Sequence, residues 1–416
     1  MKKIISLIMI LAIILVTGCT TGNAISAEKV SSAREPEEQT GEVELDDKFT
    51  DATVDFAVEL FKRSEAEGGN VLISPVSFML ALGMTGSGAN GVTLEEFEKV
   101  LGNEMSMAEL NAYYRAYVKG LPNSKETKMS IANSIWFKDT DAFQINENFL
   151  TNNEMYYKAD IYKAAFDRGT VKDINNWVES KTDGMIDKII EELNPDDIML
   201  LLNAISFDGE WVEFYEDDQV YDTEFTDYSG NKQNVEGMYC SEYTYLEDEN
   251  TTGFIKHYKN GYSFVALLPD EEIAIEDYIA NFTGEKYLGL VNNSVNCKVD
   301  TMIPKFSYDY SMNANSILMD MGIENAFDRN NADFSKMGLY NGGTGNLYIG
   351  SVIHKTHIEM GEKGTKAGAV TAVIMCGNAA MPEEVKEVIL DRPFVYAIVD
   401  DATNIPIFIG AVNSIK

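Results

Sequence analysis

The order of apolar patterns along these 416 residues predicts an α+β fold. Three observations carry that prediction. Helical spacing dominates the first hundred residues of the folded part, strand-like runs dominate from about residue 199 onward, and 45% hydrophobic with 24% charged residues is enough to bury a large core. The charges are unbalanced: 33 Lys and Arg face 67 Asp and Glu, a formal net charge of -34. Phosphate binding depends on basic side chains that release counterions, so DNA and RNA are excluded as partners. The carboxylate excess reads as a solubilising surface, and it argues equally against a polyanionic activator.

The chain begins with Lys2 and Lys3 ahead of an apolar run over residues 4–16. That run is shorter than the ~20 residues of a membrane-spanning helix and fits the apolar core of a secretory signal. It ends in Leu15-Val16-Thr17-Gly18-Cys19, which resembles the lipobox of prokaryotic lipoproteins, where the cysteine becomes the lipidated first residue. An ordinary signal peptide cut near Ala24 or Ala27 is the alternative. Lipidation of Cys19 would hold the protein on the outer face of a membrane, each buried acyl CH₂ contributing ~0.8 kcal/mol. The expected location is therefore extracytoplasmic, lipid-anchored to the cell membrane or secreted. Residues 20–48 are rich in Ser, Thr, Gly and acidic groups and read as a flexible acidic tether; residues 49–416 form the body.

Within the body, Val54, Ala57, Val58, Leu60 and Phe61 have helical spacing. So do Val76, Met79, Leu80, Leu82 and Gly83, after a Ser74-Pro75 start signal. A third helix is predicted from Ile174, Trp177, Val178, Ile186, Ile189 and Ile190, ending before Asn194-Pro195. Strands are predicted over residues 199–207, 263–268, 298–304, 347–359, 394–399 and 405–412. The last two flank Asp400-Asp401-Ala402-Thr403-Asn404, a spacer that suits a hairpin.

Active-site chemistry is hard to find. With Cys19 in the leader, Cys240, Cys297 and Cys376 are odd in number and far apart, so at most one intramolecular disulfide can form. The chain has no CxxC pair and only His257, His354 and His357, which argues against a structural zinc; no metal or cofactor is expected. Gly86-Ser87-Gly88-Ala89-Asn90-Gly91 matches GxGxxG but follows a helical pattern rather than a strand, so it reads as a turn. There is no G-x-S-x-G elbow, and acidic pairs such as Glu95-Glu96 or Asp196-Asp197 read as solvated faces.

One stretch has an unusual composition: Glu362-Lys363-Gly364-Thr365-Lys366-Ala367-Gly368-Ala369-Val370-Thr371-Ala372-Val373. In strand alternation Thr365, Ala367, Ala369 and Thr371 share one side, opposite Lys366, Gly368, Val370 and Ala372. The first side carries nothing bulky or charged, so it could slide between two strands without a steric or desolvation cost. An exposed loop, Ile374-Met375-Cys376-Gly377-Asn378-Ala379-Ala380-Met381-Pro382, would follow. Taken alone, the stretch reads best as an ordinary linker beside an edge strand.

The whole body nevertheless resembles the serpin family, through many motifs in order. They are Asn70-Val71-Leu72-Ile73-Ser74-Pro75-Val76-Ser77, Gly88-Ala89-Asn90-Gly91-Val92-Thr93, Ala132-Asn133-Ser134-Ile135-Trp136 and Ile174-Asn175-Asn176-Trp177-Val178 with Thr182. Then come Asn203-Ala204-Ile205-Ser206-Phe207-Asp208-Gly209-Glu210-Trp211, Ile303-Pro304-Lys305-Phe306, Ala332-Asp333-Phe334-Ser335, His354-Lys355, the Glu362 to Thr371 stretch and Asp391-Arg392-Pro393-Phe394. The resemblance implies one domain of three β-sheets and about nine helices with an exposed reactive-centre loop. It also implies a metastable fold that relaxes when the loop enters the large sheet as an extra strand.

By the same resemblance the chain would be no enzyme. It would be an irreversible inhibitor that forms a covalent acyl-enzyme with an extracytoplasmic serine protease, acting as a monomer. Glu362, Gly364, Thr365, Ala367, Gly368, Ala369 and Thr371 would form the loop hinge. The attacked residue usually lies sixteen beyond the hinge glutamate, which points to the Asn378 to Ala379 bond, give or take about two positions. There is no Arg or Lys between Lys366 and Glu383, which argues against proteases with an acidic specificity pocket. Gly377, Asn378, Ala379 and Ala380 suit elastase-like or subtilisin-like enzymes, with papain-like cysteine proteases second. Cys376 reads as a small apolar residue or as the source of an intermolecular disulfide.

Ser74, Ser77, Asn203 and His354 resemble the family's buried polar cluster under the central strands. Trp211, Lys305 and Glu362 resemble the point where insertion begins, the last two as an ion pair. Plain core packing is the alternative for each of these, balanced evenly against the functional reading for His354, and His357 reads as structural. Lys366 and Val370 depart from the hinge pattern, but on the outward side. A non-inhibitory binding protein or chaperone on the same fold is the alternative function.

Overall fold

The computed structural model describes residues 25–31, 43–64, 68–194, 197–365 and 385–415. Strand β1 (Glu28–Val30) lies within the segment expected to be tether. Its approach is held by the Asp173 carboxylate, which accepts hydrogen bonds from Ser26 N, Ser26 Oγ and Ala27 N. Helix α1 (Asp47–Arg63) starts at the Asp46 cap, whose carboxylate accepts from Phe49 N. The apolar stripe read from the sequence, Val54 to Phe61, is buried.

Strand β2 (Val71–Ile73) leads into α2 (Pro75–Gly86), with Ser74 as cap and Pro75 at the first turn. Nearly every residue of α2 is buried, so it runs through the core rather than over it. Helix α3 (Gly91–Gly102) follows at once. The GxGxxG match is thus a helix-to-helix turn. A Cβ on Gly86 would press on Met107 and Phe97, and Gly91 has φ +52°.

The order continues with α4 (Met107–Gly120), β3 (Thr127–Lys138), β4 (Phe143–Ile145), α5 (Glu147–Tyr157), β5 (Asp160–Ala164) and α6 (Arg168–Lys181). The third helix expected from sequence therefore stops earlier than its apolar spacing suggested. Thr182 turns its hydroxyl back to Val178 O, and Asp183 and Gly184 take positive φ of 50° and 78°. Ile186, Ile189 and Ile190 still reach the core, from an irregular segment.

Next come β6 (Met199–Glu210), β7 (Val220–Thr226), β8 (Lys232–Glu247), β9 (Thr251–Tyr258) and β10 (Tyr262–Pro269). The remaining elements are α7 (Ile275–Ala280), α8 (Gly284–Asn292), β11 (Val295–Pro304), β12 (Phe306–Asn313), α9 (Asn315–Met321), β13 (Gly338–Tyr340), β14 (Ile353–Gly361), β15 (Gly364–Thr365), β16 (Lys386–Ile389), β17 (Phe394–Asp400) and β18 (Pro406–Val412). The strand expected over 347–359 begins only at Ile353. The hairpin at the C-terminus forms as expected, β17 pairing antiparallel with β18.

Among the described residues the strands make three sheets. One has seven strands in the order β1-β5-β3-β6-β15-β14-β12; another has nine, built on β16-β11-β8-β9-β10-β17-β18-β2 with β7 beside β8; β13 and β4 form a pair. Along one edge the sixteen-residue β8 serves β7 with its first half and β9 with its last residues, while β11 runs along the other edge. Strands β10, β17 and β18 are buried on both faces, which is why they read as continuous apolar runs. Among the described residues no helix is long and apolar enough to cross a membrane.

Candidate functional site at the gap between β6 and β14

Strand β15 is two residues long and sits between two long strands. Gly364 pairs with Gly361 of β14 and Glu210 of β6, and Thr365 with Met360 and Gly209. Beyond Thr365, β6 and β14 exchange no hydrogen bonds among the described residues, so this short strand is their link. Gly364 has φ +143°, and a Cβ there would run into the carbonyl of Gly209. No other residue type fits so close an approach of two backbones.

An aromatic floor holds this link in place. Trp211 and Tyr258 stack at 4.1 Å, and the Tyr258 hydroxyl lies 2.5 Å from Thr365 Oγ1. Trp211 also donates from Nε1 to Gly361 O and from its backbone N–H to Lys363 O. Tyr215 N donates to Glu362 O, so the turn between β14 and β15 is hydrogen-bonded at three consecutive carbonyls. Thr365 is 4% exposed, with its side chain inward, as the alternation required.

Lys305, the residue between β11 and β12, bridges two carboxylates: Glu362 at 2.8 Å and Glu236 at 3.0 Å. The Lys305 ammonium holds the Glu362 carboxyl below the usual range, and Glu362 in turn raises Lys305. Glu362 is 40% exposed, so solvent limits the pair to ~0.2–1 kcal/mol.

The second expected cluster is assembled in part. Ser74 caps α2 by accepting from Ser77 N at 3.2 Å, and Ser74 N donates to His354 Nε2 at 3.1 Å. That bond makes Nε2 the acceptor and leaves the proton on Nδ1. His354 packs on Phe78 with ring centres 4.6 Å apart, and burial pushes it down to about 3, so it is neutral. Asn203 bonds elsewhere: its amide donates to Asn133 Oδ1 on β3, and Asn133 donates to Tyr157 O. Asn203 Oδ1 is buried without a hydrogen-bond partner among the described residues. Asn203 and His354 nevertheless line one cavity of about 1060 Å³, with Ser77, Phe78, Leu202 and Lys355.

Tyr258, Asn133, Tyr215 and Glu236 all take part here and were not singled out from sequence. Asn133 stood inside a quoted motif; Tyr258, the last residue of β9, carried no signal of its own. His357 on β14 faces Asp309 on the edge strand β12 at 2.8 Å, apart from the cluster. Cys240 and Cys297 are free thiols. No group of three or more His, Cys, Asp or Glu among the described residues is placed to hold a metal. Cys19, Ala367, Gly368, Ala369, Thr371, Cys376, Asn378 and Ala379 lie outside the described residues.

A family model described as Serpin (serine protease inhibitor) matches residues 51–415. Leukocyte elastase inhibitor A of Rattus norvegicus is 28% identical over 382 residues, covering 86% of this chain and 97% of its own. Among solved structures, the thermophilic serpin tengpin in its native state is 48% identical with a TM-score of 0.87, covering 94% of this chain and 100% of its own. Thyroxine-binding globulin in complex with thyroxine is 26% identical with a TM-score of 0.77, covering 89% and 100%.

Proposed function

Because the chain belongs to the serpin family, we propose that it is an irreversible, suicide-substrate inhibitor of extracytoplasmic serine proteases of the elastase-like or subtilisin-like kind. The observation that carries this reading is the position of Gly364 and Thr365. They are the first two rungs of a strand that has β6 on one side and β14 on the other.

The target's serine hydroxyl attacks the Asn378 carbonyl, the bond to Ala379 breaks, and an acyl-enzyme forms. The freed strand then continues from Thr365 into the gap, drawing the bound protease with it before water can hydrolyse the ester. Backbone pairing and apolar burial along β6 and β14 drive the step.

The register supports the reading. Carried on from Thr365, opposite Gly209 and Met360, it brings Thr371 opposite both Asn203 and His354. Thr371 shares the inward side with Thr365. An inserted strand would thus offer a hydroxyl donor where Asn203 Oδ1 is buried without a partner. The small side chains of Ala367 and Ala369 keep the path between clear.

Lipidation at Cys19 would place this inhibitor, as a monomer, on the outer face of the cell membrane. The Lys2-Lys3 leader and the Leu15 to Cys19 motif support that placement.

Incubation with elastase and with a subtilisin tests the inhibitor. A complex stable in SDS near the summed masses is expected, together with a higher Tm for chain nicked in the loop. Clean cleavage by every protease with no complex, but with the Tm rise, would favour a non-inhibitory binding protein, a role for which the likeness to thyroxine-binding globulin gives grounds. An unchanged Tm would overturn insertion itself.

A further inference from the structure

Beneath Trp211 lies a buried polar cluster carried by β8 and β9. Lys256 on β9 is 2% exposed, and its ammonium sits over the rings of Trp211 and Tyr215 at 5.4 and 4.5 Å. It donates to Glu242 Oε1 at 2.7 Å and lies 3.7 Å from the Cys240 sulfur. Cys240, half-buried on β8, is also 3.2 Å from Glu242 Oε1 and 3.4 Å from Thr301 Oγ1. The Tyr215 hydroxyl, buried without a hydrogen-bond partner among the described residues, interacts with the same thiol. A nucleophilic amine, a proton acceptor, a thiol and two hydroxyl donors therefore converge.

We propose that Cys240 and Lys256 form an oxidation-dependent crosslinking site, in which peroxide converts the thiol to a sulfenic acid and the adjacent amine condenses with it to a sulfenamide. In the first step the sulfur attacks a peroxide oxygen and the O–O bond breaks. Hydroxide leaves and takes the thiol proton as water, so sulfur is oxidised and peroxide reduced. In the second, the Lys256 ammonium passes a proton to Glu242, and its nitrogen lone pair attacks Sγ. The S–O bond breaks, and the departing hydroxide collects the second nitrogen proton as water, with no further oxidation.

Tyr215 and Thr301 are placed to hydrogen-bond the leaving oxygen. Burial raises the thiol above its usual range while the Lys256 charge pulls against it. The crosslink fastens β8 to β9 under Trp211, removes the charge from both ring faces and leaves Glu242 without its cation.

Peptide mapping of the full chain after hydrogen peroxide treatment tests this. The expected product joins the Cys240 and Lys256 peptides, is lighter than their sum by two hydrogens, resists trypsin at Lys256 and reverts with dithiothreitol. It is absent from Cys240→Ser. In Glu242→Gln the crosslink slows while dimedone-trappable sulfenic acid accumulates at Cys240. Conversion of Cys240 to sulfinic or sulfonic acid with Lys256 free would overturn the proposal. So would a Cys240 that stays a thiol while exposed methionines are oxidised.

Discussion

Tyr258 and Thr365 meet hydroxyl to hydroxyl at 2.5 Å, tying the end of β9 in the nine-stranded sheet to the two-residue strand that bridges the seven-stranded one. Removing the oxygen in Tyr258→Phe keeps the ring stacked on Trp211 but frees the threonine. The loss should be ~1 kcal/mol, read as roughly fivefold faster amide hydrogen exchange at Thr365. An unchanged rate would mean that strand pairing alone holds the link.

Thr365 is 4% exposed between two backbones, so Thr365→Arg must either strain the site or bury a guanidinium without a partner. Gel analysis after mixing with a target protease should show cleaved inhibitor in place of the SDS-stable complex. Thr365→Ser should retain the complex.

The register that sets Thr371 opposite Asn203 and His354 makes Thr371→Val informative. The intact variant should melt like the parent. After nicking, its gain in Tm should fall short of the parent's by roughly 1–2 °C, the shift expected when ~1 kcal/mol of hydrogen bonding is lost from a large domain. An equal gain in both proteins would reject the inserted register.

His354 makes stability depend on pH with a definite sign. Its ordinary value is 6.5 and burial lowers it to about 3, so between those values the unfolded chain binds a proton that the folded chain does not. Stability is full above about 6.5 and falls as the pH drops toward 3, with a slope of up to ~1.4 kcal/mol per pH unit from this group. Urea titrations from pH 7 to 4 should show that slope, and His354→Gln should remove it.

Glu362→Gln breaks the ion pair with Lys305 but leaves Glu236 in place. A change within ~0.2–1 kcal/mol is expected, diminishing further in high salt. Because the Glu362 carboxyl is held low by Lys305, the parent's advantage lies above the ordinary carboxylate range and is lost as the pH falls through it. A variant equal to the parent at low salt and neutral pH would show the pair to be neutral.

Much of this architecture was readable because burial leaves a period in the sequence. The stripes of α1 and α2 and the apolar runs of β17 and β18 fell where expected. Where other forces decide, period misleads. Ile186 to Ile190 continue a helical spacing, yet Thr182 and the positive φ at Asp183 end α6 at Lys181. Residues 28–30 looked like tether because their partners, β5 and Asp173, lie more than a hundred positions away. Trp211 and the Lys305–Glu362 pair were pointed to only by the ordered family motifs, whereas the stretch from Glu362 stood out by composition but on its own read as a linker. Tyr258 escaped notice because its importance comes from what stacks on it.

The placement of the three tryptophans gives the protein a built-in optical gauge. Trp136, stacked on Tyr162, and Trp177, bonded to Asp160, belong to a separate small core under β3, β6 and α6. Trp211 alone sits at the turn into β15. Emission from a chain with Phe at positions 136 and 177 would come from that one indole. Any shift on nicking would then report, in real time and without a label, the instant at which the Trp211–Tyr258 stack rearranges.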